Sequence, residues 1–293
     1  MSQIIAEQIL HLGNLHFLAK TVVEGFMLGF HQSPFHGFSV EFSQHRPYQP
    51  GDDLRHIDWK VYGRSDRYYI RQYQEETNLT GTILLDMSAS MAYGSGKLSK
   101  FDFARILAAS LIYLLTKQND AVGLALFHSK VEKIFPPKAV ISYAYSMLAE
   151  MQRLTPGGES ELADALHGVA DNLKRKGLAI LISDLWCDPE PVFEGLKHLH
   201  FAGHDCLVLH VLDPDEIQLP KGRQFRFIDL ENEESLHLDI RQIQESYSEK
   251  VRLFIDRYYR VCGDMGVDYL PVYTNQDLRL ILREYLIRRS RHF

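Results

Sequence analysis

The chain has 293 residues, of which 45% are hydrophobic and 24% are charged, and its formal net charge is -6. This composition is typical of a folded globular protein and excludes a largely disordered or low-complexity chain. The acidic balance argues against a general role on nucleic acid or on anionic membranes, because both require a broad basic surface.

The cysteines and the apolar runs indicate the compartment. Cys187, Cys206 and Cys262 are odd in number and far apart, which fits reduced thiols in a cytosolic protein better than a disulfide framework. No apolar run approaches the roughly 18 residues of a membrane span, and no secretory signal is visible. We therefore expect a cytoplasmic protein without direct membrane insertion.

The first quarter of the chain contains two segments that differ in composition and in the spacing of their apolar residues. Residues 3–28 place apolar side chains at mostly three- or four-residue steps, which predicts a helical arm. Residues 29–76 are richer in Gly, Pro and aromatic residues, and two of their segments alternate as strands do. We assign residues 1–76 to a helical arm followed by an extension.

From residue 80 onward, apolar strands alternate with amphipathic helices. The segments 121–127 and 130–136 are separated by a tight connection, which predicts an antiparallel hairpin at one edge of a sheet. The alternation predicts an α/β fold in which helices cover both faces of a mostly parallel sheet, and we assign it to residues 77–215. The other predicted elements are strands at 80–86, 177–183 and 204–212, and helices at 99–118, 139–153, 161–175 and 189–202.

The C-terminal region, residues 216–293, begins with a polar interruption and two predicted strands joined by an acidic turn. A helix at 241–265, a strand at 267–273 and a helix at 276–291 follow. We expect the last strand and helix to return to the same sheet, so that this region packs on it.

Polar side chains follow two predicted strands where each strand ends. Asp86 ends the strand 80–86 and precedes Ser88 and Ser90, and Asp184 follows the strand 177–183. A Gly-containing loop also closes on Ser160. Ligands of an open parallel sheet bind beyond the carboxyl ends of its strands, near the point where strand order reverses. Hard oxygen atoms at this edge favour Mg²⁺, Mn²⁺ or Ca²⁺ over zinc, although Asp and Ser are also favoured in a simple capped turn.

The residues Asp86-Met-Ser88-Ala-Ser90 match the DxSxS motif of the von Willebrand factor A domain. The resemblance implies a metal-ion-dependent adhesion site, completed by a loop threonine, here Ser160, and by a later aspartate, here Asp184. Serine keeps the hydroxyl but lacks the methyl group that stiffens the threonine rotamer. With three neutral hydroxyls and only two carboxylates, such a site is underneutralised and would accept an acidic oxygen from a partner.

Two further segments, PGDDLRHIDWKVYGRSDRYYIRQYQEE (50–76) and VLDPDE (211–216), resemble the bacterial family catalogued as domain of unknown function fifty-eight. This resemblance implies a partnership with a MoxR-type AAA+ ATPase. The underneutralised metal site separately predicts a client protein that offers an Asp or Glu, and the chain could bind either partner or both. The candidate partner-binding residues are Asp53, Arg55, Asp58 and Trp59, because Arg and Trp are enriched in binding hot spots. The alternative is a structural ion-pair cluster that anchors the extension.

These patterns favour a non-enzymatic adaptor that binds an acidic residue of a partner through its metal ion. A metal-dependent hydrolase or phosphatase is a second hypothesis, because an aspartate at a strand end beside a divalent ion can act as a nucleophile. A DxDxT-type phosphatase, however, requires a carboxylate where Ser88 stands. A third hypothesis is a structural scaffold whose metal site is vestigial, with Ser160 in place of threonine as its first sign of decay.

Overall fold

The computed structural model describes most of the chain. The chain divides into two compact units. One unit comprises the described parts of 1–29 and 79–293, and the other the described parts of 30–78. The three-part division at residues 76 and 215 stays a prediction. The described residues are 14–31, 45–47, 61–63, 67–71, 79–159, 161–220, 224–228 and 235–289. Five sequence-predicted site residues lie outside them: Asp53, Arg55, Asp58, Trp59 and Ser160.

The smaller unit contains a short antiparallel strand pair. Strand β1 (His45–Pro47) pairs with β2 (Tyr69–Arg71). Close to β2, the rings of Tyr62 and Tyr68 stack with their centroids 4.5 Å apart. The strand predicted within residues 67–76 is therefore confirmed over three residues.

The larger unit is built on a six-stranded sheet with the order β10-β7-β6-β3-β4-β5. Neighbouring strands are parallel, except that β5 runs antiparallel to β4 at one edge. The predicted hairpin and the return of the last strand to the sheet are both confirmed. The strands are β3 (Thr80–Asp86), β4 (Ala121–Phe127), β5 (Val131–Lys138), β6 (Leu178–Ser183), β7 (Asp205–Leu212) and β10 (Asp268–Tyr273). A separate antiparallel pair consists of β8 (Gln224–Ile228) and β9 (Ser235–Asp239).

The strand order reverses between β3 and β6. From β3 the chain continues to β4 and β5 on one side, and β6, β7 and β10 then extend the sheet on the other side. This is the strand order of doubly wound α/β folds, whose ligands bind at the reversal point beyond the carboxyl ends of the strands. Asp86 and Asp184 stand at the ends of β3 and β6, so they flank this point.

Helices cover both faces of the sheet. One face of the sheet, which carries Gly81, packs on the helix Lys100–Lys117. The contact is close, since a Cβ atom added at Gly81 would lie 3.1 Å from Leu115 Cδ1. Leu84 points to the opposite face, where it joins the cluster that contains Leu166 and Leu196. The helices are α1 (Leu15–His31), α2 (Lys100–Lys117), α3 (Ile141–Arg153), α4 (Leu162–Asn172), α5 (Pro189–Phe201), α6 (Pro214–Ile217), α7 (Ile240–Asp264) and α8 (Leu278–Arg289). The predicted α/β fold class, a mostly parallel sheet with helices on both faces, is confirmed.

Helix ends follow local capping chemistry. Ser99 and Asp102 form the predicted capping box at the start of α2. Helix α4 ends at Asn172 instead of the predicted residue 175, because the backbone of Leu173 is extended, with φ of -79° and ψ of 96°. Across the described residues, no helix combines the length and apolarity that a membrane crossing requires.

Candidate functional site

Asp86 is the last residue of β3, and its side chain is 0% exposed. Its Oδ1 atom accepts a hydrogen bond from the Ser88 N–H at 2.9 Å, and its Oδ2 atom accepts one from the Ser183 hydroxyl at 2.6 Å. Both donors are neutral, and no cationic side chain of the described residues forms an ion pair with Asp86.

The buried charge of Asp86 is poorly compensated. Burial, together with the charge of Asp184, raises the pKa of Asp86 from 3.8 to about 7. The hydrogen bonds from Ser183 and Ser88 lower this pKa but do not offset burial. A cation at this position would stabilise the ionised form.

Two serine hydroxyls lie next to Asp86. Ser88 Oγ and Ser90 Oγ are 3.1 Å apart, at the start of a single turn of 3₁₀ helix (Ala89–Ala92). Mg²⁺ binds its ligands octahedrally at roughly 2.1 Å, so adjacent ligand oxygens are about 3 Å apart. The two hydroxyls therefore fit neighbouring positions around one ion.

The loop 155–159 lies against the loop that carries these serines. The Gly157 N–H donates to the carbonyl of Met87 at 2.8 Å, and the Ala89 N–H donates to the carbonyl of Gly158 at 2.9 Å. Gly158 has a φ of +83°, a conformation that favours glycine. Ser160 follows this loop but lies outside the described residues, so its role as a ligand stays a prediction.

Asp184 directly follows β6 and already has a cation. The ammonium group of Lys100 donates to Asp184 Oδ2 at 2.6 Å and also to Glu216 Oε1. The Lys100 side chain is 1% exposed. Although burial lowers its pKa, the charges of Asp184 and Glu216 and their hydrogen bonds raise that pKa above the usual 10.5. Lys100 therefore remains a buried ammonium.

The position of Lys100 in the chain offers no hint of this contact. Lys100 is the first residue of α2, where a cation opposes the helix dipole. It lies 84 residues from Asp184 and 116 residues from Glu216 in the chain. Neither Lys100 nor Glu216 was predicted as a site residue.

Glu216 holds a fixed orientation. Its Oε1 atom also accepts from the Trp186 indole N–H at 2.9 Å, and its Oε2 atom accepts from the Asp213 N–H at 2.8 Å. The second bond belongs to a capping box at the start of α6. The sequence Asp-Pro-Asp-Glu indicates such a helix start. It does not indicate that the same carboxylate reaches Lys100.

Asp213 is a third buried aspartate at this edge, just after β7. It accepts hydrogen bonds from the Ser95 N–H at 3.1 Å, from the Ser95 hydroxyl, from the Asp215 N–H at 3.0 Å and from the Thr274 hydroxyl at 3.0 Å. Neutral donors therefore surround both of its oxygens. Asp213 joins the loop before α2 to the end of β10, which is a structural role.

His210 supports the backbone at Asp184. Its Nε2–H donates to the Asp184 carbonyl at 2.8 Å, and its Nδ1 accepts from the Tyr269 hydroxyl at 2.5 Å. Burial lowers the pKa of His210 to about 4, so the ring stays neutral. Leu185, which directly follows Asp184, has a φ of 55°. This conformation is strained for a bulky side chain and costs roughly 1–3 kcal/mol. The surrounding contacts hold this strained turn beside the candidate site.

The structure brings Asp86, Ser88 and Ser90 together and places Asp184 close enough for its charge to raise the Asp86 pKa. Among the described residues, no group of three or more His, Cys, Asp or Glu side chains is arranged to hold a metal ion. A site at Asp86 would therefore depend on serine hydroxyls as much as on carboxylates. The buried charge of Asp86 and the 3.1 Å spacing of the Ser88 and Ser90 hydroxyls fit a hard divalent ion.

Solved structures resemble this chain at low identity. BatB, a conserved hypothetical protein from Bacteroides thetaiotaomicron, matches with a TM-score of 0.49 and 16% identity, over 73% of this chain and 99% of that chain. An aerotolerance-related membrane protein from Bacteroides fragilis matches with a TM-score of 0.47 and 18% identity, over 70% of this chain and 98% of that chain. The SpRpn10 VWA domain matches with a TM-score of 0.42 and 12% identity, over 70% of this chain and 95% of that chain.

Relatives in sequence are uncharacterized proteins of Mycobacterium bovis and of two strains of Mycobacterium tuberculosis. Each is 29% identical over 212 residues, which cover 71% of this chain and 66% of the relative. The chain thus spans slightly less than two thirds of their length. The family model for proteins of unknown function DUF58 matches residues 44–253. This match includes both the 211–216 segment and most of the sheet, and the chain belongs to the DUF58 family.

Proposed function

We propose that this chain is a non-enzymatic protein-interaction adaptor whose carboxyl edge binds a divalent ion, Mg²⁺ above all, and through it an acidic residue of a partner. The partner that the sequence resemblance favours is a MoxR-type AAA+ ATPase, or a client protein that offers an Asp or Glu. The observation that carries the proposal is Asp86, a fully buried carboxylate at the reversal point of the sheet without a cationic partner among the described residues.

The donor set supports this ion. Asp86, Ser88 and Ser90 would hold it, with Asp184 as a further carboxylate and Ser160 as the hydroxyl expected from the third loop. The bound ion would supply a coordination position for the carboxylate of a partner. Ser183 orients Asp86 by donating to Oδ2, and the Ser88 N–H does the same at Oδ1. The chain's own contacts therefore preorganise the oxygen atoms.

Binding, rather than catalysis, is the proposed activity. A phosphatase of the DxDxT type would need a carboxylic acid at the position of Ser88, and a hydroxyl cannot replace it as general acid. We expect no turnover of an aryl phosphate in Mg²⁺. Turnover that Asp86→Ala abolishes would overturn this part of the proposal.

One observation favours a second candidate, a scaffold whose metal site is vestigial. The Lys100 ammonium already compensates Asp184, at 2.6 Å. In that case the chain would supply its own cation and need no metal. The two candidates differ in a measurable way, because a vestigial site binds no divalent ion through Asp86.

Two measurements test the proposal. The first is Mn²⁺ titration of the wild type, of Asp86→Ala and of Asp171→Ala, the last being a control at an exposed position on α4. We expect saturable binding that only Asp86→Ala removes. The second is capture of a purified MoxR-type ATPase by the same three proteins, in Mg²⁺ and in chelator. Identical capture in every lane, or no Mn²⁺ binding by the wild type, would contradict the metal-dependent adaptor.

A further inference from the structure

Lys100 connects two carboxylates that differ in their place at the site. Asp184 is a candidate metal ligand next to the reversal point, whereas Glu216 belongs to the capping box of α6. The ammonium group bonds to both, and the Lys100 and Asp184 side chains are almost fully buried. Lys100 is thus a fixed positive charge beside a site that is proposed to bind another cation.

A divalent ion and this ammonium would compete for the same carboxylate. Asp184 Oδ2 accepts a hydrogen bond from the Lys100 ammonium at 2.6 Å, whereas Oδ1 accepts only a weak one, from the Trp186 backbone N–H at 3.4 Å. Like charges repel strongly where water is excluded. The ammonium therefore opposes a nearby metal ion both by its charge and by its hydrogen bond to Asp184.

Glu216 gives the ammonium a second anchor. The Trp186 indole and the Asp213 N–H hold the Glu216 carboxylate from two sides, so it cannot follow the lysine. If Asp184 turned towards an ion, the bond from Lys100 to Glu216 would still be available. The buried ammonium consequently never loses all of its compensation, which would cost far more than exchanging one partner.

We propose that Lys100 is a built-in cation that sets the metal affinity of the carboxyl edge by competing for Asp184, and that Glu216 is the anchor that retains it when the ion binds. This inference rests on the proposed function, because it needs a metal ion at Asp86. It makes Lys100 and Glu216 positioning residues that do not themselves touch the ion. It also explains how the fold tolerates Asp184 when no ion is bound.

The test compares two substitutions in one network that should act in opposite directions. Lys100→Met removes the competing charge and is expected to raise Mn²⁺ affinity by about tenfold or more. Glu216→Gln removes the anchoring charge, leaves the ammonium to Asp184 and is expected to lower the affinity by about tenfold. Lys117→Met, at an exposed position at the other end of α2, should leave it unchanged. The measurement is Mn²⁺ titration by electron paramagnetic resonance, with Asp86→Ala alongside.

Opposite shifts that depend on Asp86 would support the inference, because a purely structural network would move both variants in the same direction. Equal or absent shifts, with Asp86-dependent binding intact in the wild type, would overturn the role of Lys100 alone. Binding by Lys100→Met but not by the wild type would support the competition and refute metal binding by the natural chain. No binding by either would overturn both. If Lys100→Met does not fold, Glu216→Gln decides by itself, and an unchanged or tighter affinity contradicts the proposal.

Discussion

Two buried aspartates lie at opposite ends of the same sheet and are compensated in different ways. Asp120, just before β4, accepts from Arg289 Nη2 at 2.9 Å and from the Leu79 N–H at 3.2 Å. Asp86, at the end of β3, accepts from two neutral donors. Both side chains are 0% exposed. The amino edge is thus neutralised within the chain, whereas the carboxyl edge retains a charge that the described residues do not neutralise.

The pKa values reflect this difference. Burial raises the pKa of Asp120, but the charge and hydrogen bond of Arg289 oppose that increase. Burial also raises the pKa of Asp86, and there the charge of Asp184 raises it further. A buried ion pair is a common structural device, while an uncompensated carboxylate that persists at a ligand-binding position indicates a use for its charge. The following substitutions test this contrast.

Lys100→Met should have the largest effect on stability. In chelator it leaves Asp184 and Glu216 without their cation, and removing one partner of a buried ion pair costs about 3–5 kcal/mol. Urea unfolding should show this loss, and saturating Mg²⁺ should restore part of it by binding only the folded state. A loss that Mg²⁺ leaves unchanged would argue against an ion near Asp184.

Arg289→Met should destabilise the amino edge by a similar or smaller amount, about 3 kcal/mol, because Asp120 then remains buried without a cation. Here Mg²⁺ should restore nothing. Arg283→Met, at an exposed position on the same helix, is the control and should change the unfolding free energy by less than about 0.5 kcal/mol. Rescue of Arg289→Met by Mg²⁺ would remove the contrast between the two edges.

Ser183→Ala should cost about 1–3 kcal/mol in chelator at pH 8. It removes the hydroxyl that donates to Asp86 Oδ2 and that also accepts from the Leu185 N–H at 3.0 Å. Chemical unfolding of Ser183→Ala, compared with Ser146→Ala on the exposed face of α3, measures the difference. A neutral result would mean that water replaces the hydroxyl at Asp86.

Asp86→Asn should have the smallest effect and the opposite sign, a gain of about 1 kcal/mol in chelator at pH 8, because it removes an uncompensated buried charge. The pKa of Asp86 is raised on folding, so the folded state binds more protons between about pH 4 and pH 7. The contribution of Asp86 to stability therefore falls as pH rises through this window. The gain should disappear near pH 5 and reverse in Mg²⁺ at pH 8.

The pH series needs Asp86→Asn as its reference, because His210 acts in the other direction. Its pKa falls to about 4 on folding, so its contribution to stability rises with pH between about 4 and 6.5. The wild type and Asp86→Asn share the contribution of His210, so the difference between their unfolding free energies isolates the contribution of Asp86. A difference that does not change with pH would show that Asp86 is not the poorly compensated group.

The strands of the sheet could be predicted because each carries its own signal. Residues 80–86 and 121–127 are short segments rich in apolar residues, and the structure has strands with the same bounds. Hydrophobic runs of this kind report burial on both faces, which depends little on distant residues. Helix ends were less predictable, as at Asn172, where the backbone becomes extended at Leu173, before the predicted end.

The candidate site could be predicted in part. Asp86, Ser88 and Ser90 lie within five residues and share one turn, so their proximity is local. The partners of Asp184 could not be predicted. Lys100 and His210 each look like ordinary residues of a helix and of a strand, and their contacts with Asp184 arise only when α2 and β7 pack beside β6.

The sequence by itself determined the α/β class and the position of Asp86 at the end of a buried strand, because apolar periodicity and short motifs depend on neighbouring residues. Only the tertiary structure decided how the charge is distributed at that edge. Asp86 receives only neutral hydrogen bonds, one of them from the Ser183 hydroxyl, while the Lys100 ammonium neutralises Asp184. The physical reason is that a buried charge depends on whichever groups lie within a few ångströms, and chain folding brings those groups together from more than 80 residues away.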